Sequence, residues 1–187
     1  MRMLTGPLAV LGLIGAIFIG VTRAADAETV AIDAFFGVWH GNAISESEIS
    51  ANFRLTSRDL NVEIRPATDE RAGAFTLEWT TVQRQTGDPS KPKEKIKAQT
   101  ATFLPTGRPN VWKAEGSGDP MDAGYVYARL HEQTLTIYSV EAAEDGTLEV
   151  QIYNRTLSGL GMELTFTRLI DGQQIRTAKG RLIKFAK

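Results

Sequence analysis

The residue types that most often carry chemistry are scarce in this chain. Cysteine is absent from its 187 residues, and the two histidines, His40 and His131, are far apart in sequence. Because transition-metal sites draw mainly on histidine and cysteine ligands, the sequence predicts no metal site. Ser139 and Ser158 lack the Gly-x-Ser-x-Gly elbow of serine hydrolases. We therefore expect no catalytic residue and no cofactor, with an enzyme built from scattered positions as the open alternative.

Aromatic and arginine side chains are the remaining candidates for binding chemistry. Trp79 lies on the apolar face of a predicted strand, and Tyr125, Tyr127 and Arg129 share one face of another. Inside a fold, these four residues would suit an amphipathic ligand with an anionic end, such as a fatty acid. On an outer wall they would suit contact with a cell-envelope protein. A third interpretation is that they only pack and pair across strands.

The elements that must position these side chains are β-strands. From Phe35 onward, apolar and polar residues alternate, turn signals recur at short spacing, and no helical period is present. Residues 162–170 alternate and lead into Asp171-Gly172, a dipeptide typical of type I′ turns because both positions need positive φ. The pattern predicts an all-β fold: an antiparallel up-and-down meander of about 8–11 strands, with little helix outside the N-terminal leader.

Each predicted strand has one apolar face, which the fold must cover. A second sheet can cover it, or the sheet can curl onto itself, which also removes exposed strand edges. Gly37 and Gly41 suit a tightly bent first strand, since the missing side chains permit close approach. Trp39 shares their face and would fill one end. We therefore expect a closed barrel with residues 35–41 at its closed end, and ligand entry from the far end.

The opening Phe36-Gly37-Val38-Trp39, after a possible short helix, resembles the Gly-x-Trp opening of lipocalins and other calycin-type barrels. This resemblance implies a ligand-binding barrel in which an arginine of a late strand lies across the tryptophan ring. Arg168 is the matching position, because it continues the apolar face of residues 162–166. A guanidinium over an indole ring contributes about 0.5–2 kcal/mol. We therefore expect Gly37, Trp39 and Arg168 to close the barrel.

Two functions follow from this reading of the chain. The first is a lipocalin-like exported barrel that binds a small hydrophobic or amphipathic ligand in its lumen. The alternative is a non-catalytic interaction or structural module of the cell envelope with a filled barrel. The chain lacks the disulfide and the middle-loop motif of lipocalins. Its whole pattern also resembles exported bacterial proteins without an assigned function, and that second resemblance implies no activity.

The first 27 residues have the pattern of a secretory signal peptide. Arg2 gives a positive start, residues 4–21 are largely apolar, and Ala25-Asp26-Ala27 offers small residues for cleavage after Ala27. The alternative is an uncleaved membrane anchor, since this apolar run reaches the lower limit of a spanning helix. Cleavage leaves residues 28–187 as a single β-barrel domain without a membrane span, and predicts a periplasmic or secreted protein.

The charge of the mature chain is close to balanced. Removing Arg2, Arg23 and Asp26 with the leader from 21 basic and 22 acidic residues leaves 19 and 21, a net charge of −2. The dense cluster of lysines at positions 91–97 is interleaved with prolines and has the pattern of a solvated loop. Since no basic stripe is present, we expect no nucleic-acid partner.

Overall fold

The computed structural model describes residues 28–50, 55–68, 71–85, 93–159 and 161–186. The predicted signal peptide, with its anchor alternative, lies outside the described residues. Within these ranges, no helix reaches the length and hydrophobicity needed to cross a membrane.

A short 3₁₀ helix, Ile32–Phe35, precedes ten strands: β1 (Gly37–Ser47), β2 (Leu55–Pro66), β3 (Phe75–Gln85), β4 (Lys93–Pro105), β5 (Val111–Ala114), β6 (Tyr125–His131), β7 (Thr134–Ala142), β8 (Leu148–Ser158), β9 (Gly161–Ile170) and β10 (Gln173–Ala186).

The ten strands close into an antiparallel up-and-down barrel. Each strand pairs with its neighbours in sequence, and β1 pairs with both β2 and β10. The predicted all-β meander and its closure are therefore confirmed, and the strand number falls within the expected range. Lipocalins close with eight strands, so the resemblance does not extend to the number of strands. The predicted type I′ turn is also present, because Asp171 and Gly172 have φ values of 47° and 79°.

Strands β1 and β10 approach each other closely where they close the barrel. A Cβ atom at Gly41 would lie 2.0 Å from the carbonyl oxygen of Arg181, and one at Gly180 would lie 2.4 Å from that of Asn42. Side chains therefore do not fit at these two positions. Gly37 has a φ of 134°, a conformation that other residues rarely adopt. Glycine thus permits the tight coiling that closure of this barrel requires.

One end of the barrel is filled with apolar side chains. Trp39 is buried there, and its indole Nε1 donates a hydrogen bond to the carbonyl oxygen of Phe35 at 2.9 Å. The rings of Phe75 and Phe103 stack with centroids 4.9 Å apart. Alternate residues of every strand point inward. The halves of the strands nearest Trp39 therefore form a continuous apolar core together. The large apolar side chains with least exposure are Phe35, Ile64, Phe75, Leu77, Phe103, Leu135, Met162 and Leu182.

The cation over the Trp39 ring is Lys184, whose Nζ lies 5.0 Å from the ring centroid. Arg168 instead donates from Nε to Glu149 Oε1 at 2.8 Å. It lies beside the turn between β9 and β10, whereas Trp39 pairs with the far end of β10. The predicted contact between Arg168 and Trp39 is therefore wrong. Alternation placed Arg168 on the inward face but did not fix its height along the barrel axis.

Candidate ligand-binding site in the barrel lumen

The lumen above the filled end contains a cavity of about 270 Å³, here called the cationic cavity. The inward positions of the strands are apolar at the closed end and become polar toward the other end, so charged groups collect in this part of the lumen. The rings of Trp79, Tyr153 and Phe166 form part of its wall. The charged residues that line it are Arg58, Lys97, Glu149, Arg155, Arg168 and Arg176.

Arg155 is the most deeply buried charged group of the cationic cavity, with 1% exposure. Its guanidinium carbon lies 5.9 Å from the centroid of the Trp79 ring and 5.8 Å from that of Tyr153. Its Nε and Nη1 atoms are buried and have no hydrogen-bond partner among the described residues. Burial lowers the pKa of Arg155 to about 10, although the nearby Tyr153 hydroxyl acts in the opposite direction. Unpaired buried donors of this kind point to an absent acceptor.

Arg58, on the other side of the cavity, resembles Arg155 in having a buried donor atom without a partner among the described residues. It is half-buried, and its Nε atom is buried without a partner in the described part of the chain. Burial lowers the pKa of Arg58, and the positive charge of Arg176 lowers it further. Two arginines from different strands therefore line the same cavity, and each has a buried donor atom without a partner among the described residues.

Glu149 is held by Arg168 through both carboxylate oxygens. The Arg168 Nε and Nη2 atoms donate to Glu149 Oε1 and Oε2, a bidentate arrangement that is among the stronger ion pairs. The Gln151 amide donates to the same carboxylate at 2.5 Å, and the Tyr153 hydroxyl donates to Gln151 Oε1 at 2.5 Å. The hydrogen bond from Arg168 lowers the pKa of Glu149 more than burial raises it. These hydrogen bonds link the inward β8 side chains of Glu149, Gln151 and Tyr153 to one another and to Arg168.

Trp79 and Tyr153 meet across the lumen. Their strands, β3 and β8, lie on opposite sides of the barrel, yet the ring centroids are only 6.1 Å apart. The two rings separate the cationic cavity from a second cavity of about 700 Å³ on the side of β4 to β7. Among the described residues that line the second cavity, none is lysine or arginine, Val126 and Ile137 contribute apolar surface, and the charged residues are Glu115 and Glu141. The lumen therefore has a cationic part and a part whose few charged residues are acidic.

The structure separates the four residues that the sequence singled out for ligand binding. Trp79 lines both cavities. Tyr125, Tyr127 and Arg129 lie on the outer face of β6, because the alternate positions of this strand, such as the fully buried Ala128, point inward. Arg129 is exposed to solvent. The described residues thus place Trp79 in the lumen and the other three on the outer wall.

The outer face of β6 and β7 carries a cluster of tyrosines, here called the outer tyrosine cluster: Tyr125, Tyr127 and Tyr138. Tyr127 stacks on Tyr138 with ring centroids 4.7 Å apart, and Tyr125 lies 5.7 Å from Tyr127. The Nζ atom of Lys113 lies 5.5 Å from the Tyr125 ring. Partial burial within this cluster raises the pKa of Tyr127. Cross-strand packing accounts for most of these contacts.

The sequence reasoning did not select Arg58, Glu149, Arg155 and Arg176. A signal for Arg58 was present, since it precedes the inward Leu60 and Val62 at a spacing of two. Arg176 likewise precedes the inward Ala178 at a spacing of two. On β8 the alternation predicts that Glu149 faces outward, because Leu148, Val150 and Ile152 form the apolar face, but Glu149 and Arg155 line the cavity. In the described part of the chain, no three histidine or carboxylate side chains cluster closely enough to hold a metal ion.

Comparisons with known proteins give little further information. No protein family matches the chain, and no curated protein sequence matches it. Among solved structures, the chain is similar to the S-type phycobiliprotein lyase CPES from Guillardia theta, at 10% sequence identity and a TM-score of 0.40. The match covers 84% of this chain and 94% of the lyase chain. A likeness at this level supports no statement about ligand or activity, so the candidate site rests on its own geometry.

We predict that Glu149→Gln alters the pH dependence of stability. Since the folded state holds the pKa of Glu149 below its usual value of 4.5, the folded protein binds fewer protons than the unfolded chain. The resulting stabilisation is fully present above pH 4.5 and is lost as the pH falls through the folded pKa. Urea denaturation should therefore give a lower midpoint for Glu149→Gln at pH 7, and the difference from wild type should shrink below pH 4.

Glu163→Gln is the matched control, because Glu163 lies on the outer face and is exposed while bonded to Arg181. Surface ion pairs contribute about 0–1 kcal/mol, so this variant should change the midpoint less at pH 7. A difference between wild type and Glu149→Gln that stayed constant from pH 7 to pH 3 would contradict the assigned role of the Arg168 bond.

Proposed function

We propose that this barrel binds a small amphipathic molecule in its lumen and holds an anionic group of that molecule against Arg155. The observation that carries this proposal is that Arg155 lines the cavity with a buried guanidinium, two donor atoms of which have no partner among the described residues. Removing a cation from water without a partner is costly. An anion in the cavity would accept charge-assisted hydrogen bonds and would offset that cost.

The surroundings of Arg155 support an amphipathic molecule over a simple ion. Trp79 and Tyr153 place aromatic surface beside the guanidinium, and Phe166 adds to the cavity wall. Beyond Trp79 and Tyr153, the second cavity has no cation among its described lining residues. Binding sites for small molecules typically combine an apolar lining with a few placed polar groups. A lumenal ligand is also what the Gly-x-Trp resemblance to calycin-type barrels implies. Because the end around Trp39 is packed, the ligand enters from the opposite end.

We also propose that the chain is exported and cleaved after Ala27. The leader pattern supports this. Immediately after the predicted cleavage point, the chain already bonds to the barrel. The backbone N–H of Val30 donates to the carbonyl oxygen of Glu132 at 2.9 Å, and the N–H of Glu132 donates to Thr29 Oγ1 at 3.1 Å. A chain beginning at Glu28 retains both contacts, so cleavage leaves the barrel intact in a periplasmic or secreted protein.

A second candidate function is contact with a cell-envelope protein through the outer tyrosine cluster. The observation that favours it is the outward placement of three neighbouring tyrosines, with Lys113 and Arg129 beside them. Tyrosine and arginine are enriched where protein surfaces meet. This function does not need an occupied lumen and can coexist with the first.

We predict that Arg155→Met weakens binding of the anionic fluorophore 8-anilino-1-naphthalenesulfonate tenfold or more, a loss of about 1.4 kcal/mol or more. The sulfonate would lose its charge-assisted hydrogen bonds to Arg155, whereas methionine keeps most of the volume. The variant should fold with a denaturation midpoint equal to or above that of the wild type, because an apolar side chain suits a buried position better than an unpaired cation. Fluorescence titration and urea denaturation measure the two effects.

The control is Arg181→Met, since Arg181 is exposed and its pairing partner Glu163 lies on the surface. This control should bind the fluorophore as the wild type does. A purely structural role for Arg155 would give the reverse pattern for Arg155→Met, with a lower midpoint and unchanged binding, and would contradict the proposal.

Export predicts a definite mass for the mature protein. We expect the intact mass of protein purified from its host to lack residues 1–27, and the protein to be recovered in the soluble extracytoplasmic fraction. A mass that includes the leader, recovered with the membranes, would instead support the uncleaved anchor.

The second candidate predicts cross-linking from the outer wall. A photoreactive residue in place of Tyr127 should give a discrete adduct with one envelope protein in intact cells, whereas the same residue in place of Arg181 should not. Absence of an adduct from position 127 at native expression level would count against this function.

A further inference from the structure

The number of charges in the cationic cavity constrains the ligand beyond its being an anion. Among the described residues, five cations line the cavity: the exposed Lys97 and the four arginines Arg58, Arg155, Arg168 and Arg176. Glu149 is the single lining carboxylate among them. Glu149 is already engaged by Arg168 through both oxygens. The charges of the other three guanidinium groups therefore have no carboxylate in the cavity lining to balance them.

These cations act on one another. The charge of Arg176 disfavours the charged form of Arg58, and both side chains are half-buried. Repulsion between like charges is stronger in a partly buried site than in bulk water. A ligand with one negative charge would neutralise one guanidinium and leave the repulsion between the others. A ligand with two negative charges would offset most of it.

The unpaired donors lead to the same conclusion by geometry. Three buried arginine nitrogen atoms of the cavity have no acceptor in the part of the chain that the structure describes: Nε and Nη1 of Arg155, and Nε of Arg58. These arginines come from β8 and β2, which are not neighbours in the barrel. A carboxylate offers two oxygens in one plane and best suits one guanidinium fork. Two guanidinium groups that approach from different strands need acceptor oxygens that point in more than one direction.

We infer that the polar end of the lumenal ligand carries two negative charges, as in a phosphate monoester or a dicarboxylate, and bridges Arg155 and Arg58. This inference rests on the proposed lumenal binding and adds the chemical class of the ligand's polar end. The uncharged part of the ligand lies against Trp79 and Tyr153 and extends toward the second cavity. A fatty acid, with a single carboxylate, fills this site incompletely.

Three probes with the same twelve-carbon alkyl tail test the inference: tridecanoate with one charge, and dodecyl phosphate and 2-dodecylsuccinate with two charges each. Calorimetric titration of the mature protein at pH 8, below the micellar concentrations, should show both doubly charged probes binding at least tenfold more tightly than tridecanoate. Arg58→Met should reduce this preference to threefold or less. Arg181→Met should keep the wild-type preference.

A pH series on the wild-type protein keeps the test independent of any variant. The second proton of a phosphate monoester leaves near pH 6, so dodecyl phosphate should bind more tightly as the pH rises from 5.5 to 8, and tridecanoate much less so. Besides the four arginines, the charged and titratable groups that face the cavity are Lys97, Glu149 and Tyr153. Tighter binding of dodecyl phosphate than of 2-dodecylsuccinate would assign a phosphoryl group, and the reverse a dicarboxylate.

The outcomes separate this inference from the proposed function. Equal affinities for the singly and doubly charged probes, with loss of binding in Arg155→Met, would overturn the two-charge inference and leave lumenal anion binding in place. No binding of any of the three probes or of the fluorophore would overturn both.

Discussion

The buried guanidinium of Arg155, with two donor atoms unpaired among the described residues, is the feature on which the proposed function of this protein depends. Closure of the barrel removes Arg155 from water, and contacts with the Trp79 and Tyr153 rings return only part of the lost hydration energy, about 2 kcal/mol in favourable cases. An apolar side chain would suit this position better for stability alone. An anion in the cavity, as proposed, would offset the cost of burying Arg155, because the burial that destabilises the unpaired cation would also strengthen its hydrogen bonds to the ligand.

The rest of the fold can accommodate such a destabilising site because the barrel has two distinct halves. Around Trp39, large apolar side chains from nearly every strand pack into one core, and Gly41 and Gly180 let β1 and β10 close tightly. That half fixes the positions of the strands. The other half holds polar and charged groups, whose packing contributes less to stability. Hydrogen bonds that link Tyr153, Gln151, Glu149 and Arg168 hold these groups in place. The half of the strands that supplies most of the packing is therefore distinct from the half in which the proposed ligand would bind.

The sequence predicted the architecture well because alternation and turns are local signals. The Asp171-Gly172 turn and the strand count needed only neighbouring residues, and closure followed from the one-sided strands. The site was harder to predict, since it depends on contacts across the lumen. Alternation put Arg168 on the inward face, but the stagger of the strands decided that it meets Glu149 and not Trp39. On β6, Tyr127 shares its face with Arg129, and a mixed aromatic and cationic face suits either a lumen or an outer wall, so the pattern left both orientations open.

Native mass spectrometry of the mature protein, extracted gently from its host, tests the central claim most directly. The account predicts a bound molecule of a few hundred daltons that leaves as an anion on collisional activation and is absent from Arg155→Met prepared in the same way. A wild-type protein that carries only water in its lumen, with the mass of the bare chain under every gentle extraction, would contradict it.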